Sequence, residues 1–168
     1  MSDHDHSYET ALRWNGTTAV GYERYDRAHT ISAVPAPTEL ALSGDAAFGG
    51  DPGRLNPEQL LVAAASSCQL LSFLAVAARA RIDVVAYTDD ATALMPADPV
   101  PMSIARIDLR PVITLADTDR VRPTDTRLAH LVQVAHQECF IANSLRSEVV
   151  VAPTFCWTDA SRGRAANA

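Results

Sequence analysis

Between Leu60 and Ala78 the chain runs for 19 residues without a charge. A stretch of that length is just long enough to cross a bilayer as a helix. Yet it carries Ser66, Ser67, Gln69 and Ser72, its apolar content is heavy in alanine, and no aromatic belt flanks it. The segment therefore reads as the central helix of a soluble protein, covered on nearly every side. One subunit of this size has little material to cover it, so the helix also predicts a homodimer that buries it.

The start of this helix is legible. Asn56-Pro57-Glu58 supplies a capping side chain, a proline at the first helical position and an acid in the first turn. The helix should run to about Arg81. Ahead of it, residues 43–55 contain four glycines, a proline and two aspartates. A loop this long within a compact domain is a functional candidate.

Residues 8–34 read as β structure. Tyr8, Thr10, Leu12 and Trp14 alternate with more polar positions, and Asn15-Gly16 predicts a two-residue hairpin with a return strand through Val20 and Tyr22. Further strands are expected over 29–34 and 39–42. After the central helix, strands are expected over 83–93 and 103–115, with Arg110-Pro111 marking an edge or a bulge. Thr124 or Asp125 should cap a second long helix whose apolar set is Leu128, Leu131, Val132, Val134, Ala135, Cys139 and Phe140. A last β segment spans 146–157, and the tail from Ser161 should fray. Strands, helix, strands, helix, strand define an α+β fold in a single domain, with two apolar helices against antiparallel sheets.

The net charge of −6 argues against a nucleic-acid surface, which needs a basic patch. The polar, acidic start MSDHDHSYE has the form of neither a secretory signal nor a transit peptide. A cytoplasmic, reducing setting is therefore expected, in which the three cysteines are packed side chains, metal ligands or redox groups.

Cys68 falls in the middle of the central helix. Some eleven residues from that helix's N-terminus, it is out of reach of the dipole there. A reactive thiolate at this position needs a cation, and Arg24, Arg27 and Arg54 are the candidates. Cys139 follows His136-Gln137-Glu138 near the end of the second helix; like Cys68, it also suits plain core packing. His136 and Cys139 on one helix face, with Cys68, are weak candidates for a metal, because the C-x-x-C spacing of such sites is absent and His130 falls on another face. No cofactor or metal is expected. Cys156, beside Trp157, reads as a packed strand residue. Neither G-x-S-x-G nor H-E-x-x-H occurs.

Several segments together carry more information than any one of them. These are Tyr25-Asp26-Arg27-Ala28-His29, the run from Asp51 to Leu61 containing Asn56-Pro57-Glu58, then Ala65-Ser66-Ser67-Cys68, and finally His136 to Ser144 containing Cys139. Over nearly its whole length the chain resembles the OsmC/Ohr family of hydroperoxide reductases. The resemblance implies an intertwined homodimer with two active sites at its interface. It implies a peroxidatic Cys68, a resolving Cys139, and a Glu58 that holds the catalytic arginine. Arg27 is the choice for that arginine from its place in Y-x-R-x-H, with Arg24 and Arg54 still open.

The chain departs from the family at Gln69, where a histidine or aromatic is common, and at Gly49, where relatives often carry a charge. The implied partners are an organic hydroperoxide and an external dithiol, lipoyl or thioredoxin-like, with no nucleic acid and no membrane. The competing expectation is a non-catalytic dimer of the same fold that binds a small molecule or lipid. Ten residues of straight helix would separate Glu58 from Cys68 by roughly 15 Å. Glu58 therefore acts through the arginine unless the helix bends.

Overall fold

The computed structural model describes residues 5–98, 100–117 and 121–158. The expected fraying falls largely on 161–168, outside the described residues. Two compact units divide at Leu60/Leu61, within the helix α1 (Pro57–Arg79).

In the first unit, β1 (Ala11–Arg13), β2 (His29–Ser32) and β3 (Glu39–Leu42) form an antiparallel sheet in that order. Ala11 faces Ser32, and His29 faces Leu42. The predicted Asn15-Gly16 hairpin and its return strand are absent; residues 14–28 instead make a long excursion with a single 3-10 turn at Thr18–Val20. Two contacts of Trp14 explain this. Its indole N–H donates to the Asp26 carbonyl at 2.7 Å, closing the base of the excursion. Its ring also lies so close to Gly16 that a Cβ there would sit 2.8 Å from it. Gly16 therefore serves a close approach rather than a hairpin turn.

The glycine-rich loop 43–55 is ordered by its own hydrogen bonds. Ser43 N–H donates to the Leu55 carbonyl at 3.0 Å, and Gly50 N–H to the Asp45 carbonyl at 2.9 Å. At the start of α1 the capping is reciprocal: Gln59 N–H donates to Asn56 Oδ1 at 2.8 Å, and Asn56 N–H to Gln59 Oε1 at 3.0 Å.

The second unit holds two three-stranded sheets. One orders β4 (Val84–Asp89), β7 (Pro111–Leu115) and β9 (Thr154–Trp157); the other orders β5 (Thr92–Leu94), β6 (Arg106–Leu109) and β8 (Glu148–Val151). Both are mixed, which corrects the expectation of antiparallel sheets: β6 with β8 and β7 with β9 are parallel pairs. The cause is the helical connection between β7 and β8, made by α2 (Asp125–Gln137) and α3 (Phe140–Ser144). A crossover of this length returns the chain in its original direction.

The predicted segments 103–115 and 146–157 each divide into two strands in different sheets, and a proline stands at each crossing, Pro111 and Pro153. Proline fits there, at the first residue of β7 and just before β9, because neither position need donate to the ladder.

The second helix ends at Gln137, short of Cys139 and Phe140. Thr124 caps it, accepting Arg127 N–H at 3.2 Å.

Phe73, Val76 and Ala77 of α1 pack with Ile113 and Leu115 of β7 and with Leu128, Val132 and Ala135 of α2. Ala65 packs with Ile107 and Leu109 of β6. On length and composition α1 is apolar enough to cross a membrane. Its other face carries Leu71 at 63% exposure and Leu74 at 37%, so the described chain leaves part of it uncovered.

Asn56→Ala removes one half of the reciprocal cap and should cost about 1 kcal/mol. Urea unfolding, comparing midpoints at equal slope, measures it.

Candidate active site

The second unit brings together two cysteines 71 positions apart. Cys68 lies in mid-α1 and is half-buried; Cys139 is 1% exposed. The two thiols are neighbours, close enough for Cys68 to help raise the Cys139 thiol. Cys139 does not belong to the second helix, as the periodicity suggested, but caps α3 in an extended conformation. The chain turns there: Glu138 N–H still reaches the Val134 carbonyl at 3.0 Å, while Cys139 N–H closes a tighter turn onto the His136 carbonyl at 3.2 Å.

The turn aims the first N–H groups of α3 at sulfur. Ile141 N–H donates to Cys68 Sγ at 3.4 Å, and Ala142 N–H to Cys139 Sγ at 3.5 Å. The start of α1 is indeed remote from Cys68, but donors arrive from the start of another helix. Sequence spacing concealed them, because helical periodicity appeared to continue through Phe140. Since the second helix ends before Cys139, His136 and Cys139 share no helix face. Among the described residues no three metal-ligating side chains converge.

Burial pushes the Cys139 thiol up to about 11; the Ala142 N–H opposes this, and the contact with Cys68 adds to it. Tyr87 is held well above its ordinary range by burial, then by Asp89 and Cys139, and its buried hydroxyl has no partner. Asp89 accepts from Ser66 Oγ at 2.5 Å and from the Arg110 N–H at 2.7 Å, tying the turn of α1 before Cys68 to the end of β4. Neither contact had a sequence signal. Gln69, noted for its departure from the family pattern, is 1% exposed with an unpartnered Oε1. A cavity of about 520 Å³ lies over Cys68, walled by Leu71, Ala75 and Phe140, with the Arg79–Glu138 ion pair at its margin. Cys156 is on β9 as expected, but it is exposed rather than packed.

In the first unit, Arg27 and Glu58 line one cavity of about 600 Å³ with Trp14, Tyr22, Tyr25 and Phe48. Arg27 is held without a carboxylate within ion-pair distance among the described residues. Its guanidinium donates to the carbonyls of Tyr25 at 3.1 Å and Tyr22 at 2.8 Å. Its Cζ stands 4.1 Å from the centre of the Tyr25 ring and 5.0 Å from that of Tyr22. Gly49, at φ +79°, packs against it; a Cβ there would lie 3.1 Å from Arg27 Cζ.

The other two candidate arginines are engaged differently. Arg54 pairs with Asp51 at 3.3 Å, and Arg24 Nε donates to the Val20 carbonyl at 2.8 Å.

A long apolar helix packed against small mixed sheets, with two thiols brought together beside it, defines the chain as an α+β protein. The profile of the OsmC-like protein family matches residues 49–154, and the chain belongs to that family. An OsmC-like protein of unknown function from Vibrio cholerae is similar at 28% identity and a TM-score of 0.79, over 89% of this chain and 100% of its own. Two organic hydroperoxide resistance proteins share the fold at 18% identity. The one from Elizabethkingia anophelis has a TM-score of 0.68, over 94% of this chain and 100% of its own. The one from Legionella pneumophila has a TM-score of 0.62, over 90% of this chain and 97% of its own. No curated protein matches the sequence significantly.

The raised Cys139 thiol makes stability depend on pH. The folded state holds this proton more tightly than the unfolded chain, so the associated stability is complete below the ordinary thiol range. It is lost as pH rises toward about 11. At mildly alkaline pH, iodoacetamide should therefore label exposed Cys156 well before Cys139, as peptide mapping over time would show.

Proposed function

We propose that this protein is a thiol peroxidase that reduces organic hydroperoxides to alcohols. The observation that carries the reading is the meeting of Cys68 with Cys139 beneath two backbone N–H groups. In the proposed cycle the Cys68 thiolate attacks the distal peroxide oxygen. The O–O bond breaks, the alcohol leaves with a proton, and Cys68 becomes a sulfenic acid. The Cys139 thiol then displaces water from it, forming an internal disulfide. An external dithiol, lipoyl or thioredoxin-like, reduces that disulfide by exchange and is itself oxidised.

Cys139, protonated at neutral pH, suits a resolving role: it does not compete for peroxide, and its attack follows only once Cys68 is oxidised. Arg27 is assigned the cation that stabilises the Cys68 thiolate and hydrogen-bonds the peroxide; Glu58, which shares its cavity but forms no ion pair with it here, is assigned to steady it once substrate binds. Support for Arg27 over Arg54 and Arg24 is its charge, left without a carboxylate among the described residues and set in an aromatic cavity shared with Glu58. The cavities at Cys68 and at Arg27 have the apolar walls that an organic substrate requires.

The reading includes one OsmC-like domain per chain, in a reducing compartment, and a homodimer. The homodimer is supported by the apolar surface both units leave bare, Leu71 and Phe140 in one and Leu12 and Leu40 in the other. The alternative, a binding protein of the same fold, has Cys68 unreactive toward peroxide.

Cys68→Ser should abolish consumption of cumene hydroperoxide in a dithiol-coupled assay, and Cys156→Ser should leave it nearly unchanged. Cys139→Ser should consume one equivalent and then accumulate Cys68 sulfinic acid, seen by mass spectrometry. Arg27→Ala should slow the oxidation of Cys68 at least tenfold. Turnover retained in Cys68→Ser would refute the peroxidase reading.

A further inference from the structure

A cavity of about 550 Å³ opens in the second unit where α1 ends and α2 begins. It shares no lining residue with the cavity over Cys68. Three arginines line it, Arg81, Arg122 and Arg127; Asp83 is the carboxylate in its lining, and Asp117 outside the lining pairs with Arg122, which leaves Arg81 and Arg127 as the excess charge. That excess of positive charge stands out in a chain of net charge −6.

Two of these arginines occupy positions that backbone physics disfavours. α1 closes with Ile82 N–H on the Ala77 carbonyl at 2.9 Å and Arg81 N–H on the Ala78 carbonyl at 3.0 Å. This pair of bonds places Arg81 where glycine is normally used, and Arg81 is left-handed at φ 60°. Arg127 is in the first turn of α2, where the helix dipole repels a cation. Neither forms an ion pair among the described residues. An anion in the cavity would offset both costs.

Arg122 has a different task. Asp117 holds it by bonds of 3.0 and 2.6 Å, and its Cζ stands 4.6 Å from the centre of the Trp157 ring. Arg122 over the Trp157 ring, with Ile82, Leu115 and Pro123 around it, forms a largely apolar wall beside the guanidinium groups of Arg81 and Arg127.

We propose that this cavity binds an organic phosphate, its head held by Arg81 and Arg127 and its planar body resting against Trp157 and Arg122. Guanidinium groups match phosphate in a forked geometry, and the volume suits a small organic ligand. The site is independent of the peroxidase reading and stands or falls without it.

Titration of the full-length protein with naphthyl phosphate, followed by the Trp157 indole N–H resonance, tests the site. Trp157→Phe identifies the signal, and the Trp14 indole serves as the internal control. A saturable shift of Trp157 alone is expected, reversed by inorganic phosphate and not reproduced by neutral naphthol. Arg81→Gly and Arg127→Ala should each weaken binding about tenfold or more. Arg81→Gly should also keep or raise the melting temperature, which separates loss of the ligand contact from loss of fold. An unmoved Trp157 resonance, equal binding of naphthol, failure of inorganic phosphate to compete, or wild-type affinity in both variants would overturn the proposal.

Discussion

Covering α1 is the demand that organises the second unit. Between Pro57 and Arg79 the helix has charges only in its first and last turns, so every side it turns needs apolar company. The molecule meets this with two small sheets rather than one large one. β7 and the β4 edge take the half around Phe73 and Val76, and β6 takes the half around Ala65. The chain passes between the sheets at Arg110-Pro111 and Ala152-Pro153, where the missing proline N–H is least costly. The remaining face, with Leu71 and Leu74, is left open beside the cavity over Cys68.

Against that helix, the early end of α2 decides the chemistry. Had it continued through Cys139, the N–H groups of Ile141 and Ala142 would be bonded to carbonyls one turn back. By turning at Glu138 and restarting at Phe140, the chain frees them for two sulfurs. The same turn buries Cys139 and raises its thiol to about 11, while Cys68 stays half-buried under an apolar cavity. Two identical functional groups thereby acquire different environments.

In the first unit the device is aromatic rather than ionic. Arg27 is gripped by two tyrosine rings and two carbonyls, which fix the guanidinium without cancelling its charge. Asp51 does cancel much of the charge of Arg54. Gly49 belongs to this arrangement, since a side chain there would press on the guanidinium. Its departure from the family pattern thus has a steric meaning in this chain.

Local signals in the chain were enough for β3, the Asn56 cap, the course of α1 and the Thr124 cap. Each of these depends on residues within a few positions of one another, where capping chemistry and periodicity act directly. They also placed Cys68 in the middle of α1 and Glu58 in its first turn. What failed depended on distant partners. The Asn15-Gly16 signal was overridden by Trp14 reaching Asp26, and the parallel pairings arose from a crossover no strand encodes. The helical spacing through Phe140 hid a turn, and Cys156 sat in a strand whose solvent-facing side only the assembled sheet defines. The contact between the two thiols is of this kind: 71 positions apart, it exists only because the tertiary fold packs α3 against the middle of α1.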